Sequence, residues 1–324
     1  MEFPSIEFDI NKVTTMNCYL NDDRLAEINE RSDSSKYLPK VDKTYGRLTF
    51  PDGDEYPYSF ASIALSMDGK MAFPERPEGP LVAISNRLNP DGALTDFYVL
   101  NFLRAYSDLI IQGSNTLKAE EDLWNVVFDK DLVEERIKYL GKSTAHPGTV
   151  IITLDGTDIP LDHQLFSQNK LPLCIFTTTR GARYLEEKGD GKFKHVLNLN
   201  IGDEKNAGVG EKLNTLLNNV SDVISVISAD SGNATDLKLF MRSLKIAGVN
   251  QVLVESPTIT WIMMKEKIMN EYFLTHTSVF IGGQLSPGWN MPFTFDDHPH
   301  AEILQLNNHK SSFIYTRQAI RYDK

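Results

Sequence analysis

The sequence contains little cysteine: Cys18 and Cys174 are the only two among 324 residues. Two cysteines cannot form a disulfide framework or a cysteine-rich zinc site, so we expect a protein of the reducing cytoplasm. No run approaches the roughly 18 apolar residues that a membrane-spanning helix needs, so no membrane contact is expected. The N-terminal stretch carries Glu2, Glu7 and Asp9 and no apolar segment, which argues against a secretory signal.

Positive charge is also scarce, because 33 Lys and Arg stand against 44 Asp and Glu and leave a net charge of −11. Proteins that bind nucleic acids contact the phosphates with Lys and Arg, so we expect no nucleic-acid partner. Apolar residues make up 41% and charged residues 24%, which is typical of a globular chain and excludes a disordered or fibrous one. The length allows one large domain or two small ones.

Charge is concentrated near the N-terminus, where 15 of the 37 residues in 21–57 are charged and only 10 are apolar. We interpret residues 1–57 as a charged N-terminal extension that wraps the surface and is not a core element. The extension does contain side chains that can be buried against the main domain: Tyr45, Leu48, Phe50 and Tyr56.

Beyond residue 57, short β-branched runs alternate with helical periodicity, which is typical of an α/β domain. Strands are predicted at residues 59–65, 108–111, 149–153, 173–177, 223–227, 251–255 and 272–281. Helices are predicted at residues 94–106, 235–248 and 256–269, the second capped by Thr235 and ended by Gly248. A terminal hairpin is predicted from residues 301–306 and 311–316 around Asn307-Asn308. The strand, helix and strand of residues 223–255 form a βαβ pattern, which implies parallel pairing.

Open α/β sheets bind ligands beyond the carboxyl ends of their strands, so the residues found there are candidate site residues. The first strand is followed by Ser66, Asp68 and Lys70, which can hold a polar or phosphorylated ligand or simply form a turn. The next is followed by Gly113 and Thr116, which suit a phosphate at a helix start or a plain helix cap.

Three later strand ends carry further candidates. Thr177, Thr178 and Arg180 can grip a phosphate group or form a solvated strand end. The remaining two ends let the backbone approach a ligand or make a turn, and they hold Glu255, Ser256, Thr258, Gly282 and Gly283.

Together these motifs resemble the reductase domain of the bacterial riboflavin-biosynthesis deaminase/reductase, a member of the dihydrofolate-reductase-like superfamily. The matching pieces are ALSMDGKMA at 64–72, Ile84-Ser85, LRAYSDLIIQGSNTL at 103–117, VLVESPT at 252–258 and Gly282-Gly283. The resemblance covers residues 58–324 as one domain. It implies a mostly parallel central sheet flanked by helices, with antiparallel C-terminal strands.

The resemblance implies an NADPH-dependent reduction of a small heterocycle or a sugar-phosphate-like pyrimidine precursor. The nicotinamide carries the hydride, so no catalytic side chain is assigned. The implied cofactor-side residues are Gly113, Thr116, Thr177, Thr178, Arg180, Glu255, Ser256, Thr258, Gly282 and Gly283. The implied substrate-side residues are Ser66, Asp68, Lys70, Ser85 and Arg104, although Arg104 can instead brace its own helix. The family is often dimeric, so a homodimer is expected.

Two departures from the family pattern bear on function. Glu255-Ser256-Pro257 replaces the usual Glu-Gly-Gly-Pro, and residues 119–122 lack the proline of Ala-Asp-x-Pro. The first departure removes glycines that let the backbone approach a pyrophosphate. The second changes the substrate-side loop, so the identity of the substrate does not follow from the resemblance. The alternative is therefore a reductase-like fold without catalysis that acts as a binding or assembly protein.

Two further chemistries are not expected. The zinc deaminase signature, H-x-E with P-C-x-x-C, is absent, so deamination by that route is excluded. Asp296, Asp297, His298 and His300 resemble metal ligands in composition, but Pro299 interrupts them and we interpret them as solvated loop residues. No metal site is predicted.

Overall fold

The computed structural model describes residues 3–322 of the chain. Its strands are β1 (Met16–Leu20), β2 (Tyr58–Ser66), β3 (Leu109–Gly113), β4 (Gly148–Ile152), β5 (Leu173–Thr177), β6 (Phe193–Asn198), β7 (Ile224–Ser228), β8 (Asp230–Ser231), β9 (Ala234–Thr235), β10 (Gln251–Val254), β11 (Glu271–Thr277), β12 (His300–His309) and β13 (Phe313–Arg321). Its helices are α1 (Ile10–Val13), α2 (Asp22–Glu30), α3 (Pro39–Thr44), α4 (Leu81–Ile84), α5 (Pro90–Tyr106), α6 (Ser114–Ala119), α7 (Lys130–Leu140), α8 (Thr179–Lys188), α9 (Ala207–Asn218), α10 (Leu237–Ile246) and α11 (Pro257–Lys265).

One sheet of eleven strands runs through the molecule in the order β1-β12-β13-β11-β2-β10-β3-β4-β5-β7-β6. All pairings from β11 to β6 are parallel, and the pairings among β11, β13, β12 and β1 are antiparallel. Helices cover both faces, as a sheet with buried parallel strands requires. The predicted α/β class, with its mostly parallel sheet and antiparallel C-terminal strands, is confirmed.

The predicted pairing within residues 223–255 is wrong, because β5, β4 and β3 lie between β7 and β10. Strand β10 instead inserts between β2 and β3, pairing in parallel with both. Its residues Val252, Leu253 and Val254 are fully buried. A strand that is apolar on both faces gains most from a central position, and this outweighs adjacency in the chain.

The C-terminal hairpin turns later than predicted. Strand β12 continues through Asn307 to His309, and the reversal occurs at Lys310, whose φ is 54°. Asn307 is fully buried, and its amide donates to the Tyr45 carbonyl at 2.6 Å and to the Thr15 hydroxyl at 2.8 Å. These partners lie in the N-terminal extension, which explains why the local Asn-Asn turn signal fails.

Smaller differences concern the ends of elements. Helix α10 is capped by Asp236, whose side chain accepts from the Leu239 N–H, and not by Thr235, which belongs to β9. Helix α11 and strand β11 both end earlier than predicted, at Lys265 and Thr277. Strands β1 and β6 were not predicted from the sequence.

The N-terminal extension contributes to the core, contrary to its interpretation as a segment outside the core, and it does so partly through Leu48 and Phe50, which were expected to be buried against the main domain. Leu38, Val41 and Leu48 are fully buried, and the Phe50 ring stacks on Phe60 with centroids 4.5 Å apart. Lys40 is buried too, and its ammonium lies 2.7 Å from the Asp129 carboxylate. The apolar residues of this segment show no regular period in the sequence, because the segment folds over the sheet and does not form one regular element.

Candidate functional site

The C-terminal ends of the parallel strands form one edge of the sheet, and several helices begin there. Helix α11 follows β10, α6 follows β3 and α8 follows β5. Ser256 caps α11 and Thr178 caps α8, whereas none of the described side chains caps α6. The first N–H groups of α6 therefore have no side-chain acceptor, and helix N-termini in general suit an anionic group.

Gly113 and Ser256 come together at this edge. A Cβ on Gly113 would lie 2.5 Å from the Ser256 hydroxyl oxygen, so only glycine fits beside this serine. The same hydroxyl accepts from the Ile259 N–H at 3.4 Å, and Pro257 is the first residue of α11. The serine that replaces the family's glycine is thus a helix cap, and it covers part of the space that a Gly-Gly pair would leave open. Thr258, just beyond it, is exposed.

Arg104 and Glu255 bind each other. The Arg104 Nε and Nη2 each lie 2.7 Å from a Glu255 carboxylate oxygen, and both side chains are almost fully buried. The Nη1 of Arg104 donates to the carbonyls of Trp124 and Val126, at 2.8 and 3.0 Å. A residue implied for the substrate and one implied for the cofactor are therefore joined, and the guanidinium of Arg104 connects α5 to segments outside its own helix.

A second carboxyl lies close to this pair. The Glu120 carboxylate accepts from the Gly79 N–H, and burial together with the negative charge of Glu255 raises its pKa. Next to Glu255, the Gln112 amide donates to its carboxylate at 2.9 Å. Gln112 Oε1 and Asn125 Nδ2 are buried and make no hydrogen bond to the described residues.

The implied substrate loop and the Gly-Gly turn are also joined. The Ser66 hydroxyl donates to Asp68 at 2.7 Å and accepts from the Lys70 N–H at 2.8 Å. Asp68 then accepts from the N–H groups of Ile281 and Gly282, at 3.0 and 2.7 Å. The Ser66 hydroxyl and the Ile281 N–H, followed by that of Gly282, lower the pKa of Asp68 to about 2.

Asp68 therefore holds the Gly282-Gly283 turn in place. Both glycines have a positive φ, 75° and 73°, which is the left-handed region where glycine is favoured. Ser85, the other residue implied on the substrate side, ends α4, and its hydroxyl donates to the Val82 carbonyl at 2.9 Å.

The hydroxyls at the start of α8 are used within the protein. Thr177 and Thr178 both donate to the Leu154 carbonyl, at 3.1 and 2.9 Å, and Thr178 accepts from the Gly181 N–H. Both threonines are buried. They shape the strand end and are not free to grip a phosphate.

Arg180 differs from the two threonines because its side chain is 73% exposed. Its nearest carboxylate oxygen, on Asp155, is 3.4 Å away. Asp230 binds the same helix start and accepts from the Thr179 N–H at 2.9 Å. The predicted phosphate-binding group of residues thus contains one exposed guanidinium and two carboxylates.

Asp96, a half-buried acid in the second turn of α5, was not among the predicted site residues. Burial raises the pKa of its carboxyl to about 6, and the Thr275 side chain of β11 opposes that rise. The signal that could have found it is a lone carboxylate inside the apolar periodicity of Leu94, Phe97 and Tyr98.

Within residues 3–322, none of the helices is both long and apolar enough to span a bilayer. In the same part of the chain, no three His, Cys, Asp or Glu side chains are grouped to hold a metal ion. Asp297, in the exposed loop before β12, pairs with Lys267 at 3.2 Å.

The sheet order and the helix starts at its edge define a dihydrofolate-reductase-like fold of the reductase type. The chain belongs to the RibD C-terminal domain family, whose model matches residues 57–297, about three quarters of its length. The predicted resemblance is confirmed. The family supports a reductase of the riboflavin-biosynthesis type, and the match covers only the reductase part. Among curated proteins, no sequence matches this chain.

Solved structures with the same fold include a pyrimidine reductase-like protein of Corynebacterium diphtheriae, with 19% identity and a TM-score of 0.54 over 82% of this chain and 93% of that one. RibD of Acinetobacter baumannii has 16% identity and a TM-score of 0.50 over 87% and 60%. A deaminase/reductase of Thermotoga maritima has 12% identity and a TM-score of 0.52 over 82% and 57%. The chain thus spans about three fifths of the last two proteins. At these low identities, the structural similarity shows the fold alone.

Proposed function

We propose that this chain is an NADPH-dependent reductase that transfers a hydride to a pyrimidine-type heterocycle carrying a sugar-phosphate-like group. The family match supports a riboflavin-type reductase. The Thermotoga maritima protein is described as a 5-amino-6-(5-phosphoribosylamino)uracil reductase, and a substrate of this class is what we propose here. The observation that carries the proposal is the family match over residues 57–297, together with the start of α6 at the sheet edge, which has no side-chain cap.

The residues at this edge fit a dinucleotide in part. A pyrophosphate binds well to backbone N–H groups at a helix start, and α6 offers such groups next to Gly113. Thr116 is half-buried and Thr258 is exposed, so neither residue is fully enclosed by the protein. When bound, the reduced nicotinamide supplies the hydride, and the protein contributes orientation and electrostatics. The net charge of −11 makes this local supply of donors necessary.

The alternative is a fold that binds a partner without catalysis. Ser256 favours it, because its hydroxyl lies directly against Gly113 where the family pattern has glycines. Asp155 and Asp230 also bring negative charge to the start of α8. The two functions differ in one measurable property, the binding of a reduced nicotinamide dinucleotide.

The test is a titration of the full chain with NADPH and with NADH, followed by nicotinamide fluorescence and by thermal shift. If the chain is a reductase, it binds NADPH saturably, and this binding raises the melting temperature of the protein. The enzyme then consumes NADPH when a suitable aminopyrimidine ribose phosphate is added. Absence of binding by both dinucleotides at millimolar concentration would overturn the proposal. Size-exclusion chromatography of the same sample tests the expected homodimer.

A further inference from the structure

The α6–α7 loop, residues 120–129, lies wholly within the described part of the chain and has neither a helix nor a strand. It also contains no proline, whose ring would restrict the backbone. A side chain of α5 holds its carbonyls instead, since Arg104 donates to those of Trp124 and Val126 at 2.8 and 3.0 Å. The shape of this loop therefore depends on contacts with other segments.

Closure of the α6–α7 loop buries two amide side chains that support it weakly. Gln112 and Asn125 are 1% and 0% exposed, and the Gln112 Nε2 donates to Asn125 Oδ1 at 3.2 Å. Their other amide atoms, Gln112 Oε1 and Asn125 Nδ2, make no hydrogen bond to the described residues. Because buried polar groups are normally hydrogen-bonded, this pair contributes little to holding the loop closed.

The N-terminal segment of the chain also contacts the α6–α7 loop. The Phe3 ring meets Trp124 edge-on with ring centroids 6.1 Å apart, and it meets His146 in the same way at 4.8 Å. Three residues further on, the Ile6 N–H donates to the Phe128 carbonyl at 3.1 Å. Two points of the N-terminal segment thus hold two points of the loop.

The place that Phe3 occupies is built from three separate segments. His146 lies before β4, and its Nδ1 accepts from the Val127 N–H of the loop at 3.2 Å. The ammonium of Lys170 lies 5.4 Å from the centre of the Phe3 ring, within the range of a cation–π interaction. With Trp124, these side chains surround one aromatic ring from the N-terminus.

The N-terminal segment is lightly held between Phe3 and the core. Phe8 is 1% exposed, and its ring packs against Phe97 and Tyr98 at 5.8 and 5.2 Å. Residues 4–7, by contrast, are all exposed. Segments with few buried contacts open at a low free energy. We therefore expect Phe3 to leave its place while Phe8 stays in the core.

We propose that residues 3–7 act as a latch on the α6–α7 loop. While Phe3 is docked on Trp124 and His146, the loop stays closed on Arg104. Release of Phe3 lets the loop open and uncovers the pair of Arg104 and Glu255 at the edge of the sheet. Phe3 is a positioning residue, because it acts through the loop. The inference goes beyond the proposed function and holds whether or not the chain is a reductase.

The test measures amide hydrogen exchange in the full-length wild-type chain and in its Phe3→Ala, Phe3→Tyr and Trp124→Leu variants, together with the double variant of Phe3→Ala and Trp124→Leu. Tyr19→Ala is the matched control, because Tyr19 is a half-exposed aromatic residue in β1 of the same extension. Exchange in β4 reports on the rest of the sheet. Thermal melting establishes that each variant is folded.

Phe3→Ala is expected to speed exchange of the Val127 and Phe128 amides about tenfold, because the ring contacts of the latch are lost. Both amides should change by the same factor, since one opening of the loop exposes both. Exchange in β4 should stay the same. Phe3→Tyr should exchange like wild type, because it keeps the ring at a half-buried position. In the Trp124→Leu background, Phe3→Ala should add less than it does alone.

Unchanged exchange of both amides in Phe3→Ala overturns the inference, because the loop is then held without the latch. Equal acceleration in the loop and in β4 also overturns it, since that result indicates general destabilisation. The same acceleration in Tyr19→Ala, or in Phe3→Tyr, has the same consequence.

The NADPH titration of the wild-type chain is a separate readout. If NADPH does not bind while Phe3→Ala speeds exchange in the loop alone, the reductase assignment is wrong and the latch stands. If NADPH binds and Phe3→Ala leaves the loop unaffected, the latch is wrong and the reductase assignment stands.

Discussion

Arg104 and Glu255 form a buried bidentate ion pair, in which two nitrogen–oxygen distances are both 2.7 Å. The pair joins α5 to the C-terminal end of β10. The Arg104 guanidinium also binds two carbonyls of residues 124–126, so it connects three separate segments next to the candidate site.

Breaking this pair is expected to destabilise the fold. Glu255→Gln leaves the guanidinium without its counter-charge in a buried place, and we expect the free energy of unfolding to fall by about 3 kcal/mol. Urea denaturation measures it, and Glu266→Gln, which alters a surface pair with Lys238, serves as the control. A loss in Glu255→Gln no larger than in the control would contradict the structural role of the pair.

The close approach of Gly113 and Ser256 predicts that substitutions at these two positions are energetically coupled. Gly113→Ala places a Cβ 2.5 Å from the Ser256 hydroxyl, so we expect a loss of about 1–3 kcal/mol of stability from overpacking. Ser256→Gly removes the obstacle, and the double variant should regain most of that loss. Chemical denaturation of the three variants measures this coupling, and simple additivity of the two changes would contradict it.

Asp68 is expected to control the Gly282-Gly283 turn. Asp68→Asn removes a charge that accepts two N–H groups, so hydrogen exchange at Ile281 and Gly282 should become faster while exchange in β4 stays the same. The pKa of Asp68 is lowered from 3.8 to about 2, so its contribution is complete above 3.8 and disappears as pH falls through 2. Faster exchange in β4 as well would indicate general destabilisation instead.

The contribution of Asp96 to stability changes with pH in the opposite direction to that of Asp68. Its pKa is raised from 3.8 to about 6, so the stability linked to its protonated form is complete below 3.8 and is lost as pH rises through 6. We expect Asp96→Asn to melt higher than wild type at pH 8 and to approach wild type at low pH. A melting-temperature difference independent of pH, or the same difference in Asp91→Asn, would contradict the raised pKa.

The charged residues at the start of α8 lead to a prediction of how the protein distinguishes NADPH from NADH. If Arg180 contacts the 2′-phosphate, Arg180→Gln should weaken NADPH binding several-fold and leave NADH binding unchanged. Asp230→Asn should strengthen NADPH binding, because it removes a carboxylate from the same helix start. Glu187→Gln, an exposed change on the same helix, is the control. Equal effects on NADH and NADPH would place the phosphate elsewhere.

The strand cores and the cap of α11 were predictable because each depends on local signals. Residues 173–177 form β5 as predicted, since an apolar β-branched run is buried wherever the chain places it. Ser256 and Pro257 carry the cap and the first turn of α11 in their own chemistry. The candidate positions at strand ends followed in the same way, because parallel strands bring their carboxyl ends to one edge.

Other features depended on residues far apart in the sequence. The position of β10 between β2 and β3 and the burial of Asn307 against the N-terminal extension have no local signal. The pairings of Arg104 with Glu255 and of Asp68 with Gly282 are of this kind too. The sequence by itself determined the α/β class, the family resemblance and the set of polar strand ends. The tertiary structure decided which of those polar groups are used inside the protein, because a buried charge takes the partner that packing brings to it.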